Sequence, residues 1–168
     1  MAQTVSTLVS NTTGSVIIPN KSGTVRGVLN IMQDKVIVPD TANADSVILS
    51  VIPVDCIPLE IEVSTADLGT AGTIDIGFFR KTIVEDVAVF VAVDKDCIAN
   101  NLDVTPAFST ALVPQRMAGL STDSVGKRAW EIAGLSNKPN YPLFYIGLTT
   151  DTGTTVAGSA SVIVRFTE

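Results

Sequence analysis

Ile57-Pro58-Leu59-Glu60-Ile61-Glu62-Val63-Ser64 is the stretch on which the fold turns. Ile57, Leu59, Ile61 and Val63 fall on one side of an extended chain, and Pro58, Glu60, Glu62 and Ser64 on the other. A half-buried antiparallel strand needs this pattern, with its charges on the wet face. Pro58 has no amide hydrogen to donate, which places it near a sheet edge or a strand start.

Working upstream, Ser46 to Ile52 reads as a largely buried strand, bounded by the polar loop Asp40 to Asp45 and by Pro53. Lys35 to Pro39 is a short Val/Ile-rich run, and Val25, Gly27, Leu29 and Ile31 share one side of an extended segment. Downstream, Ser64 to Gly72 reads as a connecting loop. Thr73 to Phe79 then alternates again, with Ile74, Ile76 and Phe78 as the inner face. Residues 84 to 93 fit a strand through Val87, Val89, Val91 and Val93, and a helix face through Val84, Val87 and Val91. Their β-branched enrichment favours the strand. Residues 94 to 127 carry little periodicity, and Pro106, Pro114, Gly119 and Gly126 mark a loop-dominated region with a short strand at Phe108 to Val113. Loops of that length in a compact domain are usually functional or at an interface. Arg128 to Ala133 holds the only tryptophan, Trp130. Leu143 to Thr149 is a strand. Ser159 to Thr167 alternates, with Ala160, Val162, Val164 and Phe166 opposite Ser161, Ile163 and Arg165.

About eight or nine short strands separated by turn signals, with no long amphipathic helix, predict an all-β, jelly-roll-like β-sandwich. Residues 24–168 form its single domain. Residues 1–23, rich in Ser, Thr, Asn and Gly, read as an extended N-terminal arm.

The 168 residues suffice for one domain that buries its own core without a disulfide or metal staple. Hydrophobic residues make up 46% and charged residues 17%, against about 25% charged in an ordinary soluble domain. With a mean hydropathy of +0.40, this excess predicts that part of the surface is hidden in an oligomer. The net charge of −6 and scattered basic residues make nucleic acid a poor partner, because phosphate binding needs clustered Lys and Arg. No apolar run approaches the roughly 20 residues of a membrane helix, so no membrane is expected as a partner. The N-terminus lacks the basic and apolar regions of a secretory signal. Cys56 and Cys97 show no redox or zinc spacing and read as small buried hydrophobes; whether they pair is left open.

The sequence has no histidine, which removes the commonest general base and the commonest metal ligand. Ser-His-Asp and Cys-His arrangements are impossible, and two distant cysteines make no thiolate cage. A carboxylate pair is conceivable among Asp55, Glu60, Glu62, Asp75, Glu85 and Asp86. The plain reading of Glu60, Glu62 and Asp75 is surface solvation. Asp94-Lys95-Asp96 resembles a fragment of a calcium loop without its glycine and closing glutamate. Gly126-Lys127 misses a phosphate loop at both ends, with Ser121 and Arg128 in the deciding positions. The expectation is no catalytic residue, no metal and no cofactor.

A family resemblance rests on a series of short segments. Asp45-Ser46-Val47-Ile48-Leu49 precedes Ile57 to Ser64, and then comes Ala66-Asp67-Leu68-Gly69-Thr70-Ala71-Gly72-Thr73-Ile74-Asp75-Ile76-Gly77-Phe78. Later stand Ala129-Trp130-Glu131-Ile132-Ala133-Gly134-Leu135 and the ending Ala157 to Phe166. This order resembles small virion structural proteins of tailed phages, the head decoration or cement proteins. It covers roughly residues 45 to 166; the segment 81 to 127 and the arm lie outside it.

The resemblance implies a jelly-roll-like protein on the outer surface of the capsid, often a trimer at three-fold or quasi-three-fold positions. Its partners would be the major capsid protein and further copies of itself. It would be made in the host cytoplasm and not secreted. Apolar content without internal periodicity nominates Val5, Leu8, Val9, Val16, Ile17 and Ile18 in the arm as contact residues. The same argument nominates Phe108, Leu112, Val113, Met117 and Leu120 in the long loop region. Two rival readings are a tail or fibre subunit that recognises a host surface, and a carboxylate-pair hydrolase.

Overall fold

The computed structural model describes residues 3–5, 29–40, 46–68, 72–104, 107–112, 126–152 and 157–167. Nine strands follow in chain order: β1 (Gln3–Val5), β2 (Leu29–Val38), β3 (Ser46–Pro53), β4 (Ile57–Thr65), β5 (Thr73–Val84), β6 (Val87–Asp103), β7 (Phe108–Leu112), β8 (Leu143–Thr152) and β9 (Gly158–Thr167). A single turn of helix, α1 (Ala129–Ile132), precedes β8.

The strands form two sheets, one ordered β1-β3-β8-β5-β6 and the other β2-β9-β4-β7. The pairings are nested: β2 with β9, β3 with β8, β4 with β7, and β5 with β6 are all antiparallel. Two more antiparallel pairings, β4 with β9 and β5 with β8, join the nested pairs into sheets. This is the winding of a jelly roll: one long hairpin rolled so that successive strands pass from sheet to sheet. β1 lies outside it, adding three parallel residue pairs to the edge at β3.

The core fills the space between the sheets. Val47, Leu49, Ile52, Ile74, Ile76, Phe78, Phe144, Ile146 and Leu148 face Val36, Val38, Ile61, Val63, Val162, Val164 and Phe166. Phe78 and Phe144 stack with centroids 5.0 Å apart. Each such side chain contributes about 1.5–3 kcal/mol by leaving water. Cys56 and Cys97 are buried free thiols, and burial, with the nearby Asp94 charge, pushes the Cys97 thiol up. A second apolar cluster, Ile48, Val51, Phe79, Phe90 and Tyr145, is buried on the outer face of the five-stranded sheet. Gly147 leaves room for it: a methyl group there would meet the Phe79 ring at 2.5 Å.

Several local expectations are corrected. The alternation of β4 shifts at a bulge between Pro58 and Glu60, so Pro58 is buried and Leu59 is exposed. Pro58 lies at the strand start and beyond the reach of β7, which pairs only Ile61 to Thr65. Residues 94–103 are not loop but the second half of β6.

Asp75 is not on the surface. It is 1% exposed, receives Lys95 Nζ at 2.7 Å, and accepts the Asn101 backbone N–H at 3.0 Å. Lys95 also reaches Asp151 at 3.0 Å. These bonds fasten the part of β6 that bulges away from β5, between Phe78↔Asp94 and Ile76↔Ala99. Gly77 permits the approach, since a Cβ there would lie 2.1 Å from the Asp94 carbonyl oxygen. Asn101 takes a left-handed φ of 54° at the next irregularity.

Candidate interaction surface

The register fixes which strand ends lie together. β3 turns into β4 through Val54, Asp55 and Cys56, so Pro53 and Ile57 share one end of the sandwich. The antiparallel pairings then bring Leu29, Thr167 and Leu143 to that end. The β5–β6 turn points the same way, because Phe79 pairs with Tyr145 near the start of β8. The α1 segment closes this end: the backbone N–H groups of Ala129 and Trp130 donate to the carbonyls of Cys56 and Val54 at 2.8 and 3.2 Å.

Large apolar side chains that remain exposed gather here. Among the described residues they are Leu29, Ile31, Ile37, Leu59, Ile83, Val84, Val87 and Val91. All but Ile37 lie toward the end just described. Scattered exposed hydrophobics are ordinary, whereas a collected group marks a contact surface. Among the described residues, the connections at the opposite end carry Asp40 and Asp67 and no lysine or arginine. Among the described residues, large exposed apolar side chains thus gather at one end, with Asp40 and Asp67 at the other.

Two patches make up the apolar end. On the four-stranded sheet, Leu29 and Ile31 of β2 and Leu59 of β4 flank the final residues of β9, where Arg165 pairs with Glu60 and Glu62 between them. On the five-stranded sheet, the β5–β6 hairpin runs past β8. β8 pairs with β5 only as far as Phe79, while β5 and β6 pair on to Val84↔Val87. The turn residues Glu85 and Asp86 have φ of 50° and 63°, the left-handed pair of a tight hairpin.

The candidate carboxylates are spread out, and most face a cation. Asp55 meets Arg128 at 3.2 Å and also Lys138; burial raises its pKa, and the two cations more than offset this. Glu60 and Glu62 both face Arg165, Glu62 at 3.6 Å. Asp75 belongs to Lys95, and Glu85 and Asp86 sit at the hairpin turn. Asp94-Lys95-Asp96 is strand, with Asp94 raised by burial and by Asp96. Among the described residues no cluster of Cys, Asp and Glu is placed to hold a metal, and no helix is long and apolar enough to cross a membrane.

Of the nominated contact residues, Val5 lies in β1 opposite Ile48. Phe108 and Leu112 lie in β7 opposite Thr65 and Ile61. Leu8, Val9, Val16, Ile17, Ile18, Val113, Met117 and Leu120 lie outside the described residues. The two patches were not nominated. Which side of their strands is wet is set by the partner strands, not by the sequence pattern alone.

No protein-family model and no curated protein matches this chain. Solved structures do share its fold. A chain of "Capsid of Ralstonia phage GP4" has a TM-score of 0.65 at 13% identity, over 99% of this chain and 98% of that chain. A chain of "Cyanophage Pam1 capsid asymmetric unit" has a TM-score of 0.53 at 13% identity, over 86% of this chain and 88% of that chain. At this identity the likeness is one of fold.

Proposed function

We propose that this chain is a structural protein of a tailed-phage head, a decoration or cement protein that binds the outer capsid surface. The observation that carries the docking role is the gathering of exposed Leu, Ile and Val side chains at one end of the jelly roll. The capsid setting is supported by fold likeness to two chains from phage capsids along most or all of their length. The segments that resemble head decoration proteins support it independently.

The mechanism is mechanical and involves no catalytic step. A shell holding packaged DNA is weakest at subunit junctions. A rigid sandwich seated across a junction buries apolar surface on both sides, and several linked copies bind more tightly than one. The partners are the major capsid protein and further copies of this chain, with a closed ring, the trimer implied by the resemblance, as the expected oligomer. The end with Asp40 and Asp67 faces solvent.

The Leu29–Ile31–Leu59 patch is the part assigned to the shell. Purified protein should cosediment with heads that lack it. The double variant Ile31→Glu/Leu59→Glu should lose that binding by at least tenfold while unfolding at an unchanged temperature, since both side chains are already exposed. Undiminished binding by the double variant would remove the patch from the contact. Absence of binding by the wild type would remove the capsid assignment.

A further inference from the structure

The overhanging hairpin is a separate surface from the β2–β4 patch. Residues directly opposite in an antiparallel pair share a face. Arg80 is opposite Val91, Thr82 opposite Val89, and Val84 opposite Val87. One face of the ribbon is thus Arg80, Thr82, Val84, Val87, Val89 and Val91. Val84, Val87 and Val91 are 53%, 61% and 38% exposed. An isolated two-stranded ribbon is marginal in water, and an uncovered valine face makes it more so. Such an exposed apolar face is suited to contact with another surface.

The charges point to the occupant. The base of the ribbon carries Arg80 and Lys81, and its tip carries Glu85 and Asp86. Among the described residues none of these four makes an ion pair within the chain. A positive base, a valine middle and a negative tip are complementary to themselves when turned end for end.

We propose that the β5–β6 hairpin is a self-association arm, its valine face covered by the same face of a second copy around a two-fold axis. With the axis at the Thr82–Val89 row, the Arg80–Val91 row of each copy lies over the Val84–Val87 row of the other. Arg80, on the same face as the valines, then approaches Glu85 and Asp86 of the second copy, twice over. The ribbon face is small beside the roughly 800 Å² per partner of a stable complex, so the contact is reversible and concentration-dependent. This goes beyond the capsid reading: it rests on the ribbon alone and leaves Leu29, Ile31 and Leu59 for the shell.

The test is sedimentation of the full chain over a range of concentrations. The variants Arg80→Glu and Glu85→Lys/Asp86→Lys each place like charges in the contact. Each should lose the rise in mass with concentration that the wild type shows. An equimolar mixture of the two restores both attractions and should return to the wild-type mass. Thermal unfolding of each variant checks that the sandwich is intact. Wild-type protein whose mass equals that of both variants at every concentration overturns the proposal, as does a mixture that stays dissociated. Head binding is read separately. Self-association without head binding sinks the capsid assignment and leaves the arm standing; head binding without a charge-dependent mass does the reverse.

Discussion

Asp75 carries a carboxylate at 1% exposure, and two residues later Gly77 carries no side chain at all. Both serve the same bulge in β6. Lys95 supplies the charge that the buried carboxylate needs, and its two carboxylate partners raise its own pKa above the ordinary 10.5, hydrogen bonding to Asp75 first and Asp151 second. Removing one partner of a buried pair costs about 3–5 kcal/mol, and the half-exposed Lys95 reduces that to about 2 kcal/mol. Lys95→Met should therefore lower stability by about 2 kcal/mol in denaturant unfolding at neutral pH. A lysine held above its unfolded pKa stabilises fully below that value and loses the effect as pH climbs through the folded one. The gap between wild type and Lys95→Met should stay level near neutrality and narrow above about pH 10.5. A gap that instead widens with rising pH would rule out the ion pair as its source. Nothing in the alternation of Thr73 to Phe79 tells a buried aspartate from a wet one. The fact that decides it, a lysine twenty residues on, is supplied by the bulge.

Elements were more legible than residues. Period-two patterning locates β4, β5 and β9, because burial on one face writes itself into alternate positions, while β3 reads as a buried run. Bulges are invisible to that reasoning, since the extra residue is defined by the partner strand. This is why the alternation puts Leu59 inward and leaves the far half of β6 without a readable period. The outer cluster of the five-stranded sheet, Ile48, Val51, Phe79, Phe90 and Tyr145, blurs alternation further, because strands buried on both faces read as apolar runs. β1 contributes three residue pairs at one edge, and the roll of β2 to β9 closes without it. Deleting residues 1–18 should leave a folded protein with strand-type circular dichroism, and it should weaken head binding through loss of Val5, Leu8, Val9, Val16, Ile17 and Ile18. Full binding by the truncated chain would withdraw the arm from the contact, and an unfolded one would show that the arm supports the roll.

For the whole molecule, the polarity of the sandwich matters most. Composition already signalled surplus apolar surface, but a percentage has no direction. Direction comes from the register, which brings Leu29, Ile31, Leu59 and the β5–β6 ribbon to one end, with Asp40 and Asp67 at the other. A protein built this way is oriented wherever it binds. The most direct measurement is an electron cryomicroscopy map of a phage head carrying this chain, at a resolution that distinguishes the two ends of the sandwich. The expected map places the jelly roll on the outer shell with Leu29, Ile31 and Leu59 buried against capsid subunits and with Asp40 and Asp67 outward. A head without this density, or a sandwich seated on the end with Asp40 and Asp67, would contradict the assignment.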